Sequence, residues 1–369
     1  MFVRSLILKN FRNYRNLRID FSEKCNIIAG NNGTGKTNLL EAISIVSNIR
    51  SFRNVPDIDI MMWGENSYHC RIETGNDRPV CFEVGCISRD GRIYKKAKID
   101  GTSVERISDY ISKLPSVVFA PSDVMLISGP PDTRRRYFDG ILSRTDLSYY
   151  NCLMEFKRIL SSRNKTLKLC KARGRINKNE IQAWDSLFAQ HASLILKARN
   201  KFLAEFEPLF LEAYSGIAAD DPPPRLTYQC TFPDPDAGFI EKFLEQSYAR
   251  DLALGTTTLG PQRDDYIFSM HNENLFNNTA SQGQKRTAAI ALKCAESIII
   301  DRKTGGKAVI MVDDVFSELD EHRRKNLLAL IDRGNQVIFT MVYPERLLFN
   351  IGSACRLFNT NGRGEVSLV

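Results

Sequence analysis

An α/β domain divided in sequence by an inserted, mostly helical domain is the fold class that this chain of 369 residues predicts. Strand patterns alternate with helical patterns near both ends of the chain, and a glycine-rich loop joins a short apolar segment to an amphipathic helix. Helical spacing dominates residues 146–216, which contain a single proline, Pro208. These observations predict that residues 1–113 and 251–369 form the α/β domain and that residues 114–250 form the insertion.

The composition excludes several protein classes. With 43% hydrophobic and 25% charged residues, the chain is neither low-complexity nor disordered in character. Arg4 and Lys9 interrupt the short apolar run at the amino terminus, and no apolar window reaches the roughly 18 residues that a membrane span needs. We therefore expect a cytoplasmic protein without membrane contacts. The nine cysteines form no C-x-x-C pair, so we expect reduced, mostly buried thiols.

The positive charge is concentrated in one segment. The formal net charge is +8, and residues 134–178 hold thirteen basic residues against three acids. Such a cluster suits a nucleic-acid backbone or an anionic membrane surface. The candidate DNA contacts are Arg134, Arg135, Arg136, Lys157 and Arg158. The alternatives for the three arginines are a solvated face, internal ion pairs, a nucleotide contact or a bridge between the two domains.

The glycine-rich loop fits the pattern G-x-x-x-x-G-K-T. In such a loop successive backbone N–H groups and the helix amino terminus hold phosphates. Lys36 is expected to reach the β and γ phosphates, and the Thr37 hydroxyl is expected to ligate Mg²⁺. The predicted nucleotide-binding residues are Gly30, Asn31, Asn32, Gly33, Thr34, Gly35, Lys36 and Thr37.

Two carboxylates follow an apolar strand in the last third of the chain. Asp313 and Asp314 come directly after residues 308–312, and a buried parallel strand presents its carboxyl end at the phosphate site. We expect Asp313 to hold Mg²⁺ through water and Asp314 to orient or deprotonate the attacking water. Asp314 and Lys36 are therefore the predicted catalytic residues.

Two further segments resemble motifs of the ATP-binding-cassette (ABC) superfamily. Ser281-Gln282-Gly283-Gln284 fits a capping box, and it also resembles the signature motif of that superfamily. In that motif the serine, the glycine and the helix dipole bind the γ phosphate of a nucleotide held by a partner subunit. Residues 317–320 resemble the D-loop, although Asp320 would also serve as an ordinary N-cap.

Other segments narrow the resemblance to the bacterial RecF family, whose members are related to the heads of the chromosome-maintenance (SMC) ATPases. Residues 8–14 resemble the start of that family, and Asn31 to Asn38 resemble its Walker A loop. The segment P-P-D-T-R-R-R-Y-F-D, the pair Arg163-Asn164 and residues 260–265 resemble further family motifs. The resemblance runs from end to end of the chain. It implies a P-loop NTPase head of the ABC ATPase type, split in sequence by an inserted helical second domain.

The resemblance also implies a function, an ATP-dependent DNA clamp of recombinational repair and replication restart that belongs to the SOS response to DNA damage. ATP on one subunit would be covered by Ser281, Gly283 and Gln284 of another, and the homodimer would hold double-stranded or gapped DNA. Asp320 and Thr340 would complete the nucleotide site. The implied partners are RecR and RecO, which act at single-strand to double-strand junctions to help load RecA.

This sequence departs from the family pattern at four places. Gln262 stands where the family usually has His, and no glutamine occurs in residues 119–123, so Ser122 or Asp123 is expected to sense the metal instead. No histidine follows the strand that ends near Thr340, and position 314 holds Asp in place of Glu. The last two departures suggest slow hydrolysis, which corresponds to a weak, DNA-dependent ATPase.

Three other functions remain open. A transporter-type ABC subunit would have a Q-loop glutamine, a switch histidine and a much shorter interval between the P-loop and the signature motif. A scaffold that binds ATP without hydrolysing it is disfavoured by the intact Lys36, Thr37, Asp313 and Asp314. A small-molecule kinase is disfavoured by the signature and D-loop segments.

Overall fold

The computed structural model describes residues 1–75, 78–173, 178–270, 274–344, 355–362 and 364–369. Its contacts divide the chain into two compact units, which we call the head unit and the helical unit. The head unit comprises Met1–Asp123, Ala213–Asp221 and Ile290–Val369. The helical unit comprises Val124–Glu212 and Pro222–Ala289.

The elements of the first half of the chain are β1 (Phe2–Phe11), β2 (Tyr14–Asp20), β3 (Cys25–Ala29), α1 (Lys36–Asn48), β4 (Ser67–Gly75), β5 (Cys81–Arg89), β6 (Arg92–Ile99), β7 (Thr102–Ser103), β8 (Ser116–Phe119), α2 (Met125–Ser128), α3 (Pro131–Thr145) and α4 (Leu147–Arg173). The elements that follow are α5 (Lys178–Ile217), β9 (Arg225–Gln229), α6 (Ala237–Leu254), β10 (Asp265–Ser269), α7 (Phe276–Thr279), α8 (Gln282–Thr304), β11 (Val309–Asp313), α9 (Glu321–Ile331), β12 (Val337–Met341), β13 (Cys355–Thr360) and β14 (Val366–Leu368).

A mostly parallel sheet carries the predicted site. Its strand order is β14-β13-β3-β12-β11-β8, and every neighbouring pair except β13 with β14 is parallel. All five residues of β3, β11 and β12 are buried, as expected for parallel strands that are covered on both faces. Because the carboxyl ends of parallel strands meet at one edge, this sheet brings the loop after β3 close to the carboxylates after β11.

An antiparallel sheet forms the second layer of the head unit, in the order β2-β1-β4-β5-β6-β7. Its strands alternate: Tyr68, Cys70 and Ile72 of β4 are buried, whereas the residues between them are partly exposed. The buried face packs against α1 and joins the same hydrophobic core. The opposite face is therefore open to solvent.

Long helices dominate the helical unit, as the sequence predicts. Within α4 and α5, Leu153, Phe156, Phe188 and Phe202 are buried, which matches their helical spacing. Helices α3 and α5 and the antiparallel strand pair of β9 and β10 share an aromatic core. In this core the ring of Phe138 stacks on a tyrosine ring of β10 at 3.9 Å between centroids. Among the described residues no helix is both long and apolar enough to cross a membrane.

The unit boundaries differ from the predicted ones at both ends of the insertion. Residues 114–123 belong to the head unit because β8 is an edge strand of its parallel sheet, paired with β11. Residues 251–289 belong to the helical unit, since β10 pairs with β9. Strand pairing over a long sequence interval sets both boundaries of the units. The change in local sequence pattern, from which the boundaries at residues 114 and 250 were predicted, does not coincide with them.

One cysteine pair corrects the expectation of reduced thiols. Cys25 and Cys355 form a disulfide, with their Cα atoms 4.6 Å apart. They are direct register partners on the neighbouring strands β3 and β13, a separation that a disulfide can span. The other cysteines are free: Cys70, Cys81, Cys86, Cys152, Cys170, Cys230 and Cys294.

Candidate nucleotide-binding site

The glycine-rich loop joins β3 to α1, so the predicted strand, loop and helix follow one another. Gly35 is the N-cap of α1 with a φ of 102°, in the left-handed region that glycine tolerates. Gly30 has a φ of 152°, and a Cβ atom there would lie 2.3 Å from the Thr360 hydroxyl oxygen. The loop therefore needs glycine at both positions, for backbone conformation and for space.

Lys36 lies inside this loop. Its ammonium donates hydrogen bonds to the carbonyl oxygens of Gly30 at 2.7 Å and Asn31 at 2.9 Å. Burial lowers the pKa of Lys36, and the negative charges of Asp314 and Asp313 oppose that change. A cation held among carbonyl oxygens beside two carboxylates is placed where phosphate oxygens would be neutralised.

Asp313 is where the P-loop helix and two strands of the sheet meet. The hydroxyl groups of Thr37 and Thr340 both donate to its Oδ1 atom, each at 2.8 Å. Thr340 is the register partner of Asp313 on β12, and Thr37 lies in the first turn of α1. Burial raises the pKa of Asp313, and the two hydroxyl hydrogen bonds oppose that rise.

This oxygen cluster suits a small divalent cation. Mg²⁺ takes oxygen ligands and is usually held by one or two protein groups together with substrate phosphates. The Thr37 hydroxyl and the Asp313 carboxylate are in direct contact, so one ion can reach both, directly or through water. The residues present thus fit the metal that the sequence predicts here.

Asp314 has an unusual backbone conformation. Its φ is 52°, and its N–H lies 3.2 Å from both the hydroxyl and the carbonyl oxygen of Thr340. The Ser317 hydroxyl donates to the Asp314 carbonyl oxygen at 2.6 Å. Non-glycine residues in this region are often found at functional positions. The strained turn therefore sets the carboxylate of Asp314 directly after Asp313, at the carboxyl end of β11.

Two sequence motifs prove to be helix caps. The Ser281 hydroxyl accepts from the Gln284 N–H at 3.2 Å, and the Gln284 side chain accepts from the Ser281 N–H at 2.9 Å, so the capping box forms. Ser281 is exposed and Gly283 is half-buried, and both belong to the helical unit. Asp320 caps α9 by accepting from the Arg323 N–H at 2.8 Å, which lowers the pKa of Asp320.

Sequence reasoning missed a set of contacts that brace the loop. The Asn13 amide donates to the Thr34 carbonyl at 3.3 Å, and the Tyr14 hydroxyl donates to the Gly35 carbonyl at 3.1 Å. Burial raises the pKa of Tyr14 to about 12, so its hydroxyl remains a donor at neutral pH. Asn13 and Tyr14 lie in the opening segment 8–14, which the sequence singled out only as a resemblance.

Arg53 is a second residue that the sequence analysis did not select. Its guanidinium donates to the Asn38 side chain at 3.2 Å and lies 3.5 Å from the buried carboxylate of Glu41. Its positive charge also acts to lower the pKa of Asp313. Arg53 follows α1 in the segment R-S-F-R, and no local sequence pattern marks it as a residue of the site.

Of the two candidates for the metal-sensing position, only Asp123 makes a defined contact near the site. Its Oδ2 atom accepts from the Ala120 N–H at 2.7 Å, just after β8. Burial raises the pKa of Asp123 to about 6, and the charges of Lys293 and Glu296 on α8 and of Asp313 also act on it. Ser122 is exposed.

The candidate DNA-binding residues differ in how far they are buried. Arg134 is buried and forms a bidentate ion pair with Asp265, with both N–O distances at 2.8 Å. Of the alternatives for Arg134, the structure therefore supports the internal ion pair. Arg135 donates to the Asp264 carbonyl at 2.6 Å. Arg136 forms an exposed ion pair with Asp132, within one turn of α3.

Lys157 and Arg158 lie on the exposed side of α4. Arg158 pairs with Glu155 and keeps 78% of its side chain exposed. Part of the basic segment lies outside the described residues: residues 174–177, which include Arg175, and the side chain of Lys178. Lys157 and Arg158 are therefore exposed candidates for contact with a phosphate backbone.

Two other family-like segments form buried polar networks of the helical unit. Arg163 is fully buried and pairs with Asp185 at 2.6 Å and Asp251 at 2.7 Å. Arg199 pairs with Asp139 at 2.9 Å and donates to the Pro261 carbonyl at 2.8 Å. Buried charges need such partners, so these contacts give the two segments a structural role in the helical unit.

Position 262, where the family pattern has His, holds a side chain with a local partner. The Gln262 amide donates to the Leu259 carbonyl at 2.8 Å. Gly260, two residues earlier, has a φ of 124°, and a Cβ atom there would lie 2.5 Å from the Phe188 ring. This segment is therefore a tight turn packed against α5.

The chain is similar to known proteins along nearly its whole length. The RecF/RecN/SMC N-terminal domain family matches residues 2–351. A DNA replication and repair protein RecF from Heliobacterium modesticaldum is 34% identical over 94% of this chain and 95% of its own length. RecF of Leptospira interrogans is 32% identical over 95% of this chain and 94% of its own.

Solved structures show the same relationship. The recombination mediator protein RecF-ATP in the RecFOR pathway has a TM-score of 0.89 at 27% identity, covering 100% of this chain and 97% of its own. An SMC head bound to the C-terminal winged-helix domain of ScpA has a TM-score of 0.55 at 16% identity, covering 100% of this chain and 98% of its own, which is a likeness of fold. Because the family match spans nearly the whole chain and the RecF relatives exceed 30% identity, this chain belongs to the RecF family of SMC-like ATPases, proteins of DNA replication and repair.

Proposed function

We propose that this protein is an ATP-dependent DNA clamp that acts in recombinational repair and replication restart. The observation that carries the proposal is the meeting of Thr37, Thr340 and Asp313 at one carboxylate oxygen, next to the loop that encloses Lys36. A nucleoside triphosphate with its metal needs hydroxyl, carboxylate and ammonium groups together. The likeness to a RecF-ATP structure supports ATP as the nucleotide.

In this proposal Thr37 and Asp313 hold Mg²⁺, and the backbone N–H groups of residues 30–37 hold the phosphates. The metal neutralises charge on the phosphates while ATP is bound. Lys36 exchanges its contacts with the Gly30 and Asn31 carbonyls for phosphate oxygens. Asp314 orients the attacking water, and Thr340 keeps Asp313 in place. Hydrolysis is slow because the Asp314 carboxylate is one methylene shorter than glutamate.

Dimerisation is the second part of the proposal. Ser281, Gly283 and Gln284 lie at the exposed start of α8, where helix N–H groups and the helix dipole favour an anion. They belong to the helical unit, whereas Lys36 and Asp313 belong to the head unit. We infer that this helix start covers the γ phosphate of ATP held by a second copy, so ATP drives a homodimer. Asp320 contributes from the start of α9.

DNA is the third part. Lys157 and Arg158 on α4, with Arg135 and Arg136 on α3, supply a basic surface for double-stranded and gapped DNA. DNA binding stimulates the weak ATPase. The RecFOR pathway named for the solved relatives supports RecO and RecR as partners in promoting RecA loading. The place of action is the cytoplasm.

Light scattering tests dimerisation directly. We expect the 41.9 kDa chain to double in mass with ATP and Mg²⁺ and to return to a monomer as ATP is consumed. Ser281→Arg removes the small hydroxyl side chain and blocks the phosphate position, so it should bind ATP normally and stay monomeric. Asn278→Arg, before the capping box, is the matched control. A wild-type mass that ATP leaves unchanged contradicts the clamp.

A second experiment separates an ATPase from a scaffold. Lys36→Arg retains a positive charge, but a guanidinium cannot contact the Gly30 and Asn31 carbonyl oxygens in the same geometry. We therefore expect residual ATP binding without turnover. Steady-state phosphate release, with and without duplex DNA, measures it. Wild-type turnover by Lys36→Arg overturns the assigned role, and absence of turnover in the wild type favours the scaffold.

A further inference from the structure

The solvent-facing side of the antiparallel sheet carries a groove of about 400 Å³. Its floor crosses four strands: the register places Lys9 of β1 beside His69 of β4, His69 beside Gly85 of β5, and Gly85 beside Lys96 of β6. Lys98 and Tyr94 also line it. All of these residues belong to the head unit and lie outside the nucleotide site.

Gly85 is the reason that a groove exists there. It is a central residue of β5 with no side chain, although its backbone conformation does not require glycine. The nearest atom to a Cβ at this position would be the His69 ring carbon Cδ2 at 3.6 Å, an ordinary contact distance. Glycine weakens a strand interior, and one use of glycine there is to let a ligand approach the backbone closely.

The groove is positively charged. Lys9 and Lys96 are exposed and Lys98 is half-buried, and none of the three pairs with a carboxylate among the described residues. The acid within the groove, Glu83, is already engaged, because His69 Nε2 lies 3.0 Å from its carboxylate. The surface therefore complements a chain of negative charges.

Two exposed aromatic side chains accompany these charges. Tyr94 is 50% exposed on β6, and Trp63 is 99% exposed on the turn of residues 62–65. That turn is anchored to Asn10, which lines the groove: the Met62 N–H donates to the Asn10 carbonyl at 2.9 Å, and the Asn10 amide donates to Glu65 at 3.1 Å. Both aromatic residues are thus presented on ordered backbone next to the basic groove.

We propose that this face binds single-stranded DNA, with bases stacked on Tyr94 and Trp63 and phosphates on Lys9, Lys96 and Lys98. Sheets that bind single strands combine exposed aromatic residues with a basic surface, because unpaired bases offer their faces for stacking. A duplex keeps its bases stacked inside and would leave both aromatic residues without a partner. The inference rests on the proposed DNA function, for which it supplies the single-stranded side of a junction.

Variants of the groove test the inference. We expect Gly85→Glu and Tyr94→Ala to weaken binding of an oligothymidine of about 15 nucleotides by about tenfold or more, measured by fluorescence anisotropy. Gly85→Ala, whose methyl group fits at an ordinary contact distance, is the control for the glutamate. Duplex binding and ATP binding should stay within about twofold in all three variants, which also shows that they fold.

A second experiment uses Trp63 as its own reporter. The chain has two tryptophans, so Trp184→Phe leaves Trp63 as the sole tryptophan. Oligothymidine should quench the fluorescence of Trp63. The affinity obtained from this titration should fall as the salt concentration rises. Poly-L-glutamate of equal charge should neither quench Trp63 nor displace the oligonucleotide efficiently.

Three results would overturn the inference. Unchanged oligothymidine binding by Gly85→Glu and Tyr94→Ala removes the groove from the DNA-binding surface. Equal loss of duplex binding makes it part of the duplex site. Displacement by poly-L-glutamate, with no effect of Tyr94→Ala, assigns the face to an acidic protein. ATP-dependent dimerisation and duplex binding, measured on the same samples, report separately on the proposed clamp.

Discussion

The Thr360 hydroxyl lies 2.6 Å from the Thr34 hydroxyl, which joins the nucleotide loop to a strand far away in sequence. Thr360 also donates to the Ala29 carbonyl at 3.2 Å and occupies the space that a side chain at Gly30 would need. The loop is therefore held on both sides, by β13 and by the hairpin that carries Asn13 and Tyr14.

Replacing the Thr360 hydroxyl should weaken ATP binding without unfolding the protein. Thr360→Val keeps the shape but loses a hydrogen bond worth about 0.5–1.5 kcal/mol, so we expect the Kd for ATP to rise by roughly two- to tenfold. Isothermal titration calorimetry measures it. Thr360→Ser retains the hydroxyl and should bind as the wild type does, and equal affinities for the valine and serine variants would contradict the bracing role.

Removing the Thr340 hydroxyl should make the metal requirement depend more strongly on pH. Its hydrogen bond acts to lower the pKa of Asp313, so Thr340→Val raises that pKa further and the carboxylate protonates more readily. We expect the Mg²⁺ concentration for half-maximal activity to rise more at pH 6 than at pH 8. Thr340→Ser is the control, and a parallel shift at both pH values would rule this explanation out.

Asp123 should cost stability at neutral pH. Its folded pKa of about 6 lies above the ordinary value of 3.8, so ionisation favours unfolding, and its stabilising contribution is lost as pH rises from about 4 through 6. Asp123→Asn removes this dependence. Since water screens a half-buried group, we expect Asp123→Asn to gain about 1–2 kcal/mol relative to wild type between pH 4 and pH 7. Urea unfolding at both pH values measures it, and a constant difference would show that Asp123 does not titrate in this range.

The disulfide predicts a thiol count and a loss of stability. Without reductant, alkylation of the unfolded chain should label seven of its nine cysteines, and all nine after reduction. The double variant Cys25→Ser, Cys355→Ser should lose about 2–4 kcal/mol of stability. Cys152→Ser is the matched control because Cys152 is a free thiol. Nine labelled cysteines before reduction would contradict the bond.

The buried Arg134 and the exposed Lys157 and Arg158 should respond differently to substitution. Arg134→Ala leaves the carboxylate of Asp265 without its partner, so we expect a loss of about 3 kcal/mol in stability. Lys157→Ala with Arg158→Ala should change stability by less than about 0.5 kcal/mol and reduce the salt slope of duplex binding by roughly two. Thermal unfolding and binding at several salt concentrations separate the two effects, and the reverse pattern would exchange their roles.

Much of the nucleotide site could be predicted because its residues are adjacent in sequence. Lys36 and Thr37 end the glycine-rich loop, Asp313 and Asp314 end one strand, and the Ser281 capping box spans four residues. The position of Asp313 and Asp314 beside the glycine-rich loop follows from one rule, that the carboxyl ends of parallel strands meet at one edge of a sheet. The same local patterns correctly predicted the helical insertion.

The features that sequence reasoning missed depend on pairings across long intervals. Thr360 reaches Thr34 and Cys355 reaches Cys25 because strand order and register bring β13 beside β3. Arg134 of α3 reaches Asp265 of β10 through the packing of that helix on the strand. Neither spacing nor composition encodes that register. For the same reason the assignment of residues 251–289 differed, since the pairing of β10 with β9 has no local signal.

The place of β3 in the parallel sheet has a consequence for synthesis on the ribosome. Cys25 precedes its partner Cys355 by 330 residues, and β12 and β13, which flank β3 on its two sides, are both translated late. A nascent chain therefore carries its nucleotide loop through most of translation without the strands that hold it. We therefore expect the full affinity for ATP only once β12 and β13 have left the exit tunnel and paired with β3.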